Sequence, residues 1–257
     1  AAYSRGQPEW GGHLAEELEV LIAPQDENSI AAVIVEPVAG ATGILPPPLG
    51  YLERLREICT KHGILLIFDE VITGFGRVGA SFAAERFDVI PDIITCAKGL
   101  TNGVIPMGAV LIKDEIYDTF MTGPEQMPEL FHGYTYSGHP VAAAAGIAAL
   151  EVYEEEGSFQ QARELEEMFA DEAHQFDDHP RVIDVRNFGL MAAVELEPRD
   201  NAPGTRGLEV HKRLFWDENL VIRNTMDILQ FCPFLNAKPE DIRSMFGAVE
   251  RVLDTLE

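Results

Sequence analysis

Five consecutive residues without a polar side-chain atom, Ile64-Leu65-Leu66-Ile67-Phe68, run directly into two carboxylates, Asp69 and Glu70. A continuously apolar run too short for a helix reads as a strand covered on both faces. Just before it, Leu52, Leu55, Ile58 and Cys59 recur at helical spacing and Gly63 closes the turn. An earlier strand is expected from Ala31 to Glu36, stopped by Pro37, and later ones near Ile93 to Cys96 and Gly108 to Ile112. Strands alternating with helices predict an α/β fold with a mostly parallel central sheet.

Beyond this region the pattern changes. Residues 113–134 read as a long loop containing Gly123, Pro124 and Pro128. Pro140 then opens an alanine-rich helix that Gly157 closes, and a charged helix spans 159–176. After His179-Pro180 the expected elements are strands at 182–185 and 191–196, a helix at 208–219, strands at 220–223 and 228–232, and a helix at 239–256. That succession predicts a smaller α+β domain over 156–257, following part of a larger domain over 1–155.

The formal net charge of −24 argues against nucleic-acid binding, which needs phosphate-neutralising Lys and Arg. No apolar run approaches the roughly 20 residues of a membrane helix. Cys59, Cys96 and Cys232 are far apart with no Cys-x-x-Cys, which argues against a disulfide framework or a metal cluster and points to a reducing cytoplasm. The acid is spread along helical segments such as Glu154-Glu155-Glu156, the distribution expected of a chain adapted to high salt.

Two positions carry the chemistry. Ligands of open parallel sheets bind beyond the carboxyl ends of the strands. Asp69 ends one strand, and Lys98 follows the next in Ile93-Ile94-Thr95-Cys96-Ala97-Lys98-Gly99. An amine that loses water there favours its neutral form, which can attack a carbonyl and form a Schiff base. The plainer reading is that Asp69 and Lys98 pair with each other or with Arg77. The sharper one sets a pyridine-ring cofactor between them, its aldehyde on the lysine and its ring nitrogen on the carboxylate. Gly74-Phe75-Gly76-Arg77-Val78-Gly79 matches the Gly-x-Gly-x-x-Gly pattern, but it begins four residues after the strand, and two acids stand beside it where a pyrophosphate would be repelled.

Residues 31–147 resemble the class III (ω-) aminotransferases among the fold-type I pyridoxal-phosphate enzymes. The motifs that carry this are Val35-Glu36-Pro37-Val38-Ala39-Gly40, Phe68 through Arg77, Ala97-Lys98-Gly99, and His132-Gly133-Tyr134-Thr135-Tyr136-Ser137-Gly138-His139-Pro140. Thr225 through Phe231 and Asn236-Ala237-Lys238-Pro239 are similar to the β-alanine (ω-amino acid):pyruvate branch. The resemblance implies pyridoxal 5'-phosphate as cofactor, held as a Schiff base by Lys98, with Asp69 on the ring nitrogen and Val71 against one ring face. It implies that Thr135 binds the phosphate of a neighbouring subunit, in a homodimer or tetramer with its site at the interface. It also implies that Arg223 holds the substrate carboxylate, for which pairing with one of the many acids is the plainer alternative. His132 and His139 read as loop structure and Glu36 as an organiser of the sheet edge.

The implied reaction moves an amino group from a small amine or ω-amino acid to pyruvate, giving alanine. An aminomutase, a decarboxylase and a non-catalytic fragment are the alternatives. Family members also carry a phosphate loop of small residues and an aromatic residue on the outer ring face, both nearer their N-terminus. Residues 1–30 contain no match to either, so this chain is expected to be a fragment or to need a complementary chain, and to bind the cofactor weakly alone. The acidic surface generates a separate expectation. The denaturation midpoint should rise between low and molar salt as self-repulsion is screened, and a midpoint that stays level or falls contradicts it.

Overall fold

The computed structural model describes residues 2–25, 29–126, 130, 132 and 135–256. Pro128, Gly133 and Tyr134 lie outside them. The first sheet has the order β1-β2-β3-β4, from β1 (Ala32–Val35), β2 (Leu65–Asp69), β3 (Ile93–Cys96) and β4 (Ala109–Ile112). β2 pairs in parallel with β1 and β3, while β4 joins β3 antiparallel.

A short α1 (Glu17–Ile22) follows a 3-10 turn at Gly12–Glu16, and α2 (Tyr51–His62) connects β1 to β2. α2 buries the four residues whose spacing predicted it, Leu52, Leu55, Ile58 and Cys59. Gly63 ends it at φ 64, a conformation glycine adopts without a Cβ penalty. The double covering read from residues 64–68 is met in full on one face only. Leu66 and Phe68 are fully buried, whereas Leu65 and Ile67 are half-buried, and Val110, Leu111 and Ile112 of β4 are exposed.

Glu70 organises the loop between β2 and the next helix, α3 (Ala83–Phe87). It is 0% exposed, and its carboxylate accepts from the backbone N–H of Ala83 (2.6 Å) and Ala84 (2.8 Å) and from the Thr73 hydroxyl (2.7 Å). It thereby caps α3 from across the loop. Burial pushes its carboxyl above the ordinary range, and the three donors pull against that shift. The intervening Gly-Phe-Gly-Arg-Val-Gly segment is a tight turn, closed by Phe75 N–H to the Ser81 carbonyl (2.7 Å) and Gly76 N–H to the Ala80 carbonyl (3.1 Å). Gly76 has φ 92, and a Cβ there would stand 2.4 Å from Phe159 Cδ1. These glycines serve helix packing, in keeping with the discounted nucleotide motif.

Residues 113–134, read as a loop, contain α4 (Asp114–Phe120). α5 (Pro140–Glu156) and α6 (Ser158–His174) meet at Gly157. The second sheet is antiparallel, with order β5-β6-β8-β7, from β5 (Val182–Phe188), β6 (Met191–Leu196), β7 (Arg223–Thr225) and β8 (Ile228–Phe231). With α6, α7 (Thr205–Trp216) and α8 (Pro239–Leu253) it encloses a core that includes Phe169, Val185, Val194, Leu214 and Phe246. Phe188, Met191 and Ala193 pack instead into the core of the first sheet.

The strand expected at 220–223 begins later, at Arg223. Leu220 donates its N–H to the Leu214 carbonyl (2.8 Å), closing α7, and Ile222 is buried in the core, so these apolar residues pack without pairing. Arg186 locks the two sheets together. Its Nε donates to the Gly43 (2.8 Å) and Ile44 (3.1 Å) carbonyls, and its Nη1 to Asp184 (2.6 Å) and Glu195 (2.7 Å).

Glu70→Ala should destabilise the protein by about 2–4 kcal/mol, because buried donors lose a charged acceptor. Urea denaturation measures this, and a loss within error of zero would remove Glu70 as the organiser of the loop.

Candidate active site

Parallel pairing sets the carboxyl ends of β1, β2 and β3 on one edge. Asp69 stands opposite Thr95, three residues before Lys98. The Oδ1 of Asp69 accepts from the Val71 N–H (3.1 Å) and the Thr95 hydroxyl (3.3 Å), and Glu70 N–H donates to the Thr95 carbonyl (2.8 Å). Among the described residues no hydrogen bond or ion pair engages the second oxygen, Oδ2. The carboxylate is therefore held at one corner with the other available to a donor, which suits a protonated ring nitrogen.

Lys98 opens a single 3-10 turn, Lys98–Leu100, with φ 42. A lysine in that left-handed region is strained, and strain of this kind gathers at functional positions. Two aromatic residues hold the turn. Tyr153 donates its hydroxyl to the Gly99 carbonyl (2.8 Å), and a Cβ on Gly99 would stand 2.7 Å from Phe75 Cβ. Burial raises the Tyr153 phenol, which stays a neutral donor.

The sequence places Lys98 at a strand end, where an amine loses water. Within this chain Lys98 is exposed, where β3 has ended at Cys96 and the 3-10 turn begins. Asp69 and Lys98 do not pair. Among the described residues neither an ion pair nor a hydrogen bond engages the Lys98 amine. Arg77, the other partner considered, is taken up elsewhere, its Nη1 donating to the Leu190 (3.1 Å) and Pro233 (2.6 Å) carbonyls. Burial lowers its guanidinium from the ordinary arginine value.

Arg223 is exposed, and among the described residues it too has no ion pair with an acid. It opens β7 opposite Gln230 of β8. Cys232 lies just past β8, one residue before Pro233, whose carbonyl accepts from Arg77. Cys232 is open to solvent, yet burial dominates and pushes the thiol up. Sequence reasoning did not single out Cys232, since nothing in its local pattern marks it.

Val71 is half-buried, and its N–H bonds to Asp69. Glu36 Oε2 accepts from the Gly40 N–H (3.0 Å), which shapes the loop after β1. Thr135 lies in an exposed turn, residues 135–138, that leads into α5. α5 packs back toward Lys98 through Gly146, where a Cβ would stand 3.5 Å from the Leu100 carbonyl. An aldehyde-bearing pyridine cofactor fits this donor set: an unpaired amine, a half-engaged carboxylate on the same edge, and an exposed guanidinium at the start of β7.

Comparison with known proteins agrees. The family model Aminotransferase class-III matches residues 3–253. An omega-aminotransferase of Caulobacter vibrioides is 56% identical over 254 residues, 99% of this chain and 58% of that protein. A beta-alanine–pyruvate aminotransferase of Pseudomonas aeruginosa is 50% identical over 256 residues, 98% of this chain and 57% of that protein. The chain thus spans less than two thirds of the length of these relatives. Among solved structures, a transaminase with L-alanine superposes with a TM-score of 0.90 at 36% identity, covering 94% of this chain and 58% of that one. An (S)-enantioselective omega-transaminase from Thermomicrobium roseum gives 0.88 at 35% identity, covering 95% of this chain and 55% of that one. The fold is that of the fold-type I transaminases, and the class III enzymes depend on pyridoxal phosphate. A family match over residues 3–253, with relatives at 50% and 56% identity, is decisive: the chain belongs to the class III aminotransferases.

Proposed function

We propose that the protein transfers the amino group of an ω-amino acid or small amine to pyruvate, forming alanine. The observation that carries this reading is the unpaired Lys98 amine on the same sheet edge as a half-engaged Asp69 carboxylate. The names of the Caulobacter and Pseudomonas relatives favour it over an aminomutase or decarboxylase. When bound, pyridoxal phosphate supplies an electron sink for the carbon that loses a proton.

The chain's own residues do the rest. Lys98 Nζ takes up that proton and hands it on, as an amine without an ion-pair partner is placed to do. Asp69, fixed by Val71 N–H and Thr95, would hold the protonated ring nitrogen, and Val71 would pack against the ring. Arg223 clamps the donor carboxylate, and later that of pyruvate, as a fork. Thr135, exposed on its turn, serves the phosphate of a neighbouring subunit.

A homodimer or a tetramer is consistent with exposed apolar side chains at Ile34, Val104, Val110, Val141 and Ile147. Residues 1–155 act as part of the cofactor-binding domain and 156–257 as the small domain, each with a sheet of its own. The setting is the cytoplasm, in line with three free cysteines. Among the described residues no helix is long and apolar enough to cross a membrane.

Lys98→Ala should lower alanine formation from 3-aminopropanoate and pyruvate by about 10²–10⁴-fold, measured with added cofactor. Activity within a few-fold of the parent protein would contradict the assignment. Alkylation tests the surroundings of Arg223 separately. Cys59 and Cys96 are buried and Cys232 is exposed, so brief iodoacetamide treatment should label Cys232 alone, and pyruvate should slow the labelling. Peptide mapping that finds Cys59 or Cys96 modified equally, or no protection by pyruvate, would contradict it.

A further inference from the structure

β7 and β8 form a short hairpin that carries Arg223, and one face of it is tied to the first sheet by a closed set of hydrogen bonds. Gln230 Nε2 donates to the Ala41 carbonyl (3.3 Å) and to the Thr225 hydroxyl (2.8 Å), and that hydroxyl donates to the same Ala41 carbonyl (3.1 Å). Both N–H groups of the amide and both lone pairs of the carbonyl are thereby used. Gln230 is 5% exposed, so these bonds are shielded from water.

The placement of the three partners is specific. Gln230 is the cross-strand neighbour of Arg223, and Thr225 lies two residues along β7, so Arg223, Thr225 and Gln230 share one face of the hairpin. Ala41 sits in the loop shaped by Glu36. The preceding Gly40 packs so closely on Ile72 that a Cβ would stand 2.6 Å from Ile72 Cδ1. Ile72 follows Val71, whose N–H holds Asp69. A short path of contacts thus runs from the Asp69 carboxylate through Ile72, Gly40 and Ala41 to Gln230 and Thr225, and ends at the strand of Arg223.

We infer that Gln230 and Thr225 are positioning residues that set the reach from the Lys98–Asp69 edge to the Arg223 guanidinium, and so select donors by the placement of their carboxylate. The inference rests on the proposed role of Arg223 as the carboxylate clamp. β7 has three residues, Arg223 opens it, and it is the edge strand of its sheet, paired only with β8, so without the tie its position would depend on that short edge pairing alone. With the tie, the guanidinium is referred to the same loop that packs beside Asp69. Donors without a carboxylate make no demand on that reach.

The test uses the purified protein loaded with pyridoxal phosphate and the donor half-reaction alone, so that the carboxylate of pyruvate does not enter. Gln230→Leu and Thr225→Val should each raise the half-saturating concentration of 3-aminopropanoate roughly three- to tenfold, the factor for one lost hydrogen bond. The same constant for a carboxylate-free amine, 1-phenylethylamine, should not move, and Thr225→Ser should restore the parent value. Independently of turnover, protection of Cys232 against alkylation by propanoate should weaken by the same factor. Equal losses for both donors would reduce the tie to a structural role and overturn the inference. So would unchanged constants for both donors in variants where Arg223→Ala still weakens 3-aminopropanoate. If Arg223→Ala itself leaves 3-aminopropanoate unaffected, the clamp reading falls, and the inference with it.

Discussion

β2 pairs in parallel with both of its neighbours, Val35 opposite Phe68 and Asp69 opposite Thr95. That register decides where polar chemistry can stand. Parallel strands end on the same edge, so the residues just beyond them collect there whatever their separation in sequence. Glu36, Asp69 and Lys98 reach one edge for this reason. The buried faces of Leu66 and Phe68 hold the register, since a one-residue slip would turn them outward and carry Asp69 into the core.

Around this edge, four arrangements convert strand ends into a defined site. Glu70 caps α3 and shapes the turn that carries Arg77. Tyr153 and Phe75 hold the strained turn at Lys98. Arg186 fixes the loop at Gly43 and Ile44 to the second sheet, and Gln230 and Thr225 fix Ala41 of the same loop to the Arg223 hairpin. The two sheets have different topologies, yet the segment from Glu36 to Leu45 touches both and acts as their common reference.

Much of this was legible in the sequence. The apolar run at 64–68 gave away the central strand because its side chains admit no other burial, and Leu52, Leu55, Ile58 and Cys59 marked the helix before it. Asp69 and Lys98 were identifiable because strand ends in parallel sheets are where ligands bind. The features that escaped notice lacked a periodic signal. α4 has no buried residue, so no apolar stripe marks it. α3 is five residues long, and its cap lies thirteen residues upstream. Leu220 and Ile222 look like a strand but pack as plugs beneath α7. The left-handed turn at Lys98 is one that no side chain announces, and the approach of Arg77 to the end of β8 at Pro233 depends on tertiary placement alone.

The central claim is that Lys98 is the cofactor-bearing amine, and borohydride reduction tests it directly. The protein is incubated with pyridoxal phosphate, reduced, digested and mapped by mass spectrometry. The account predicts pyridoxyl-modified Lys98, with Lys61, Lys113, Lys212 and Lys238 unmodified. A pyridoxyl group spread over the exposed lysines, or found on any of them in preference to Lys98, would contradict it.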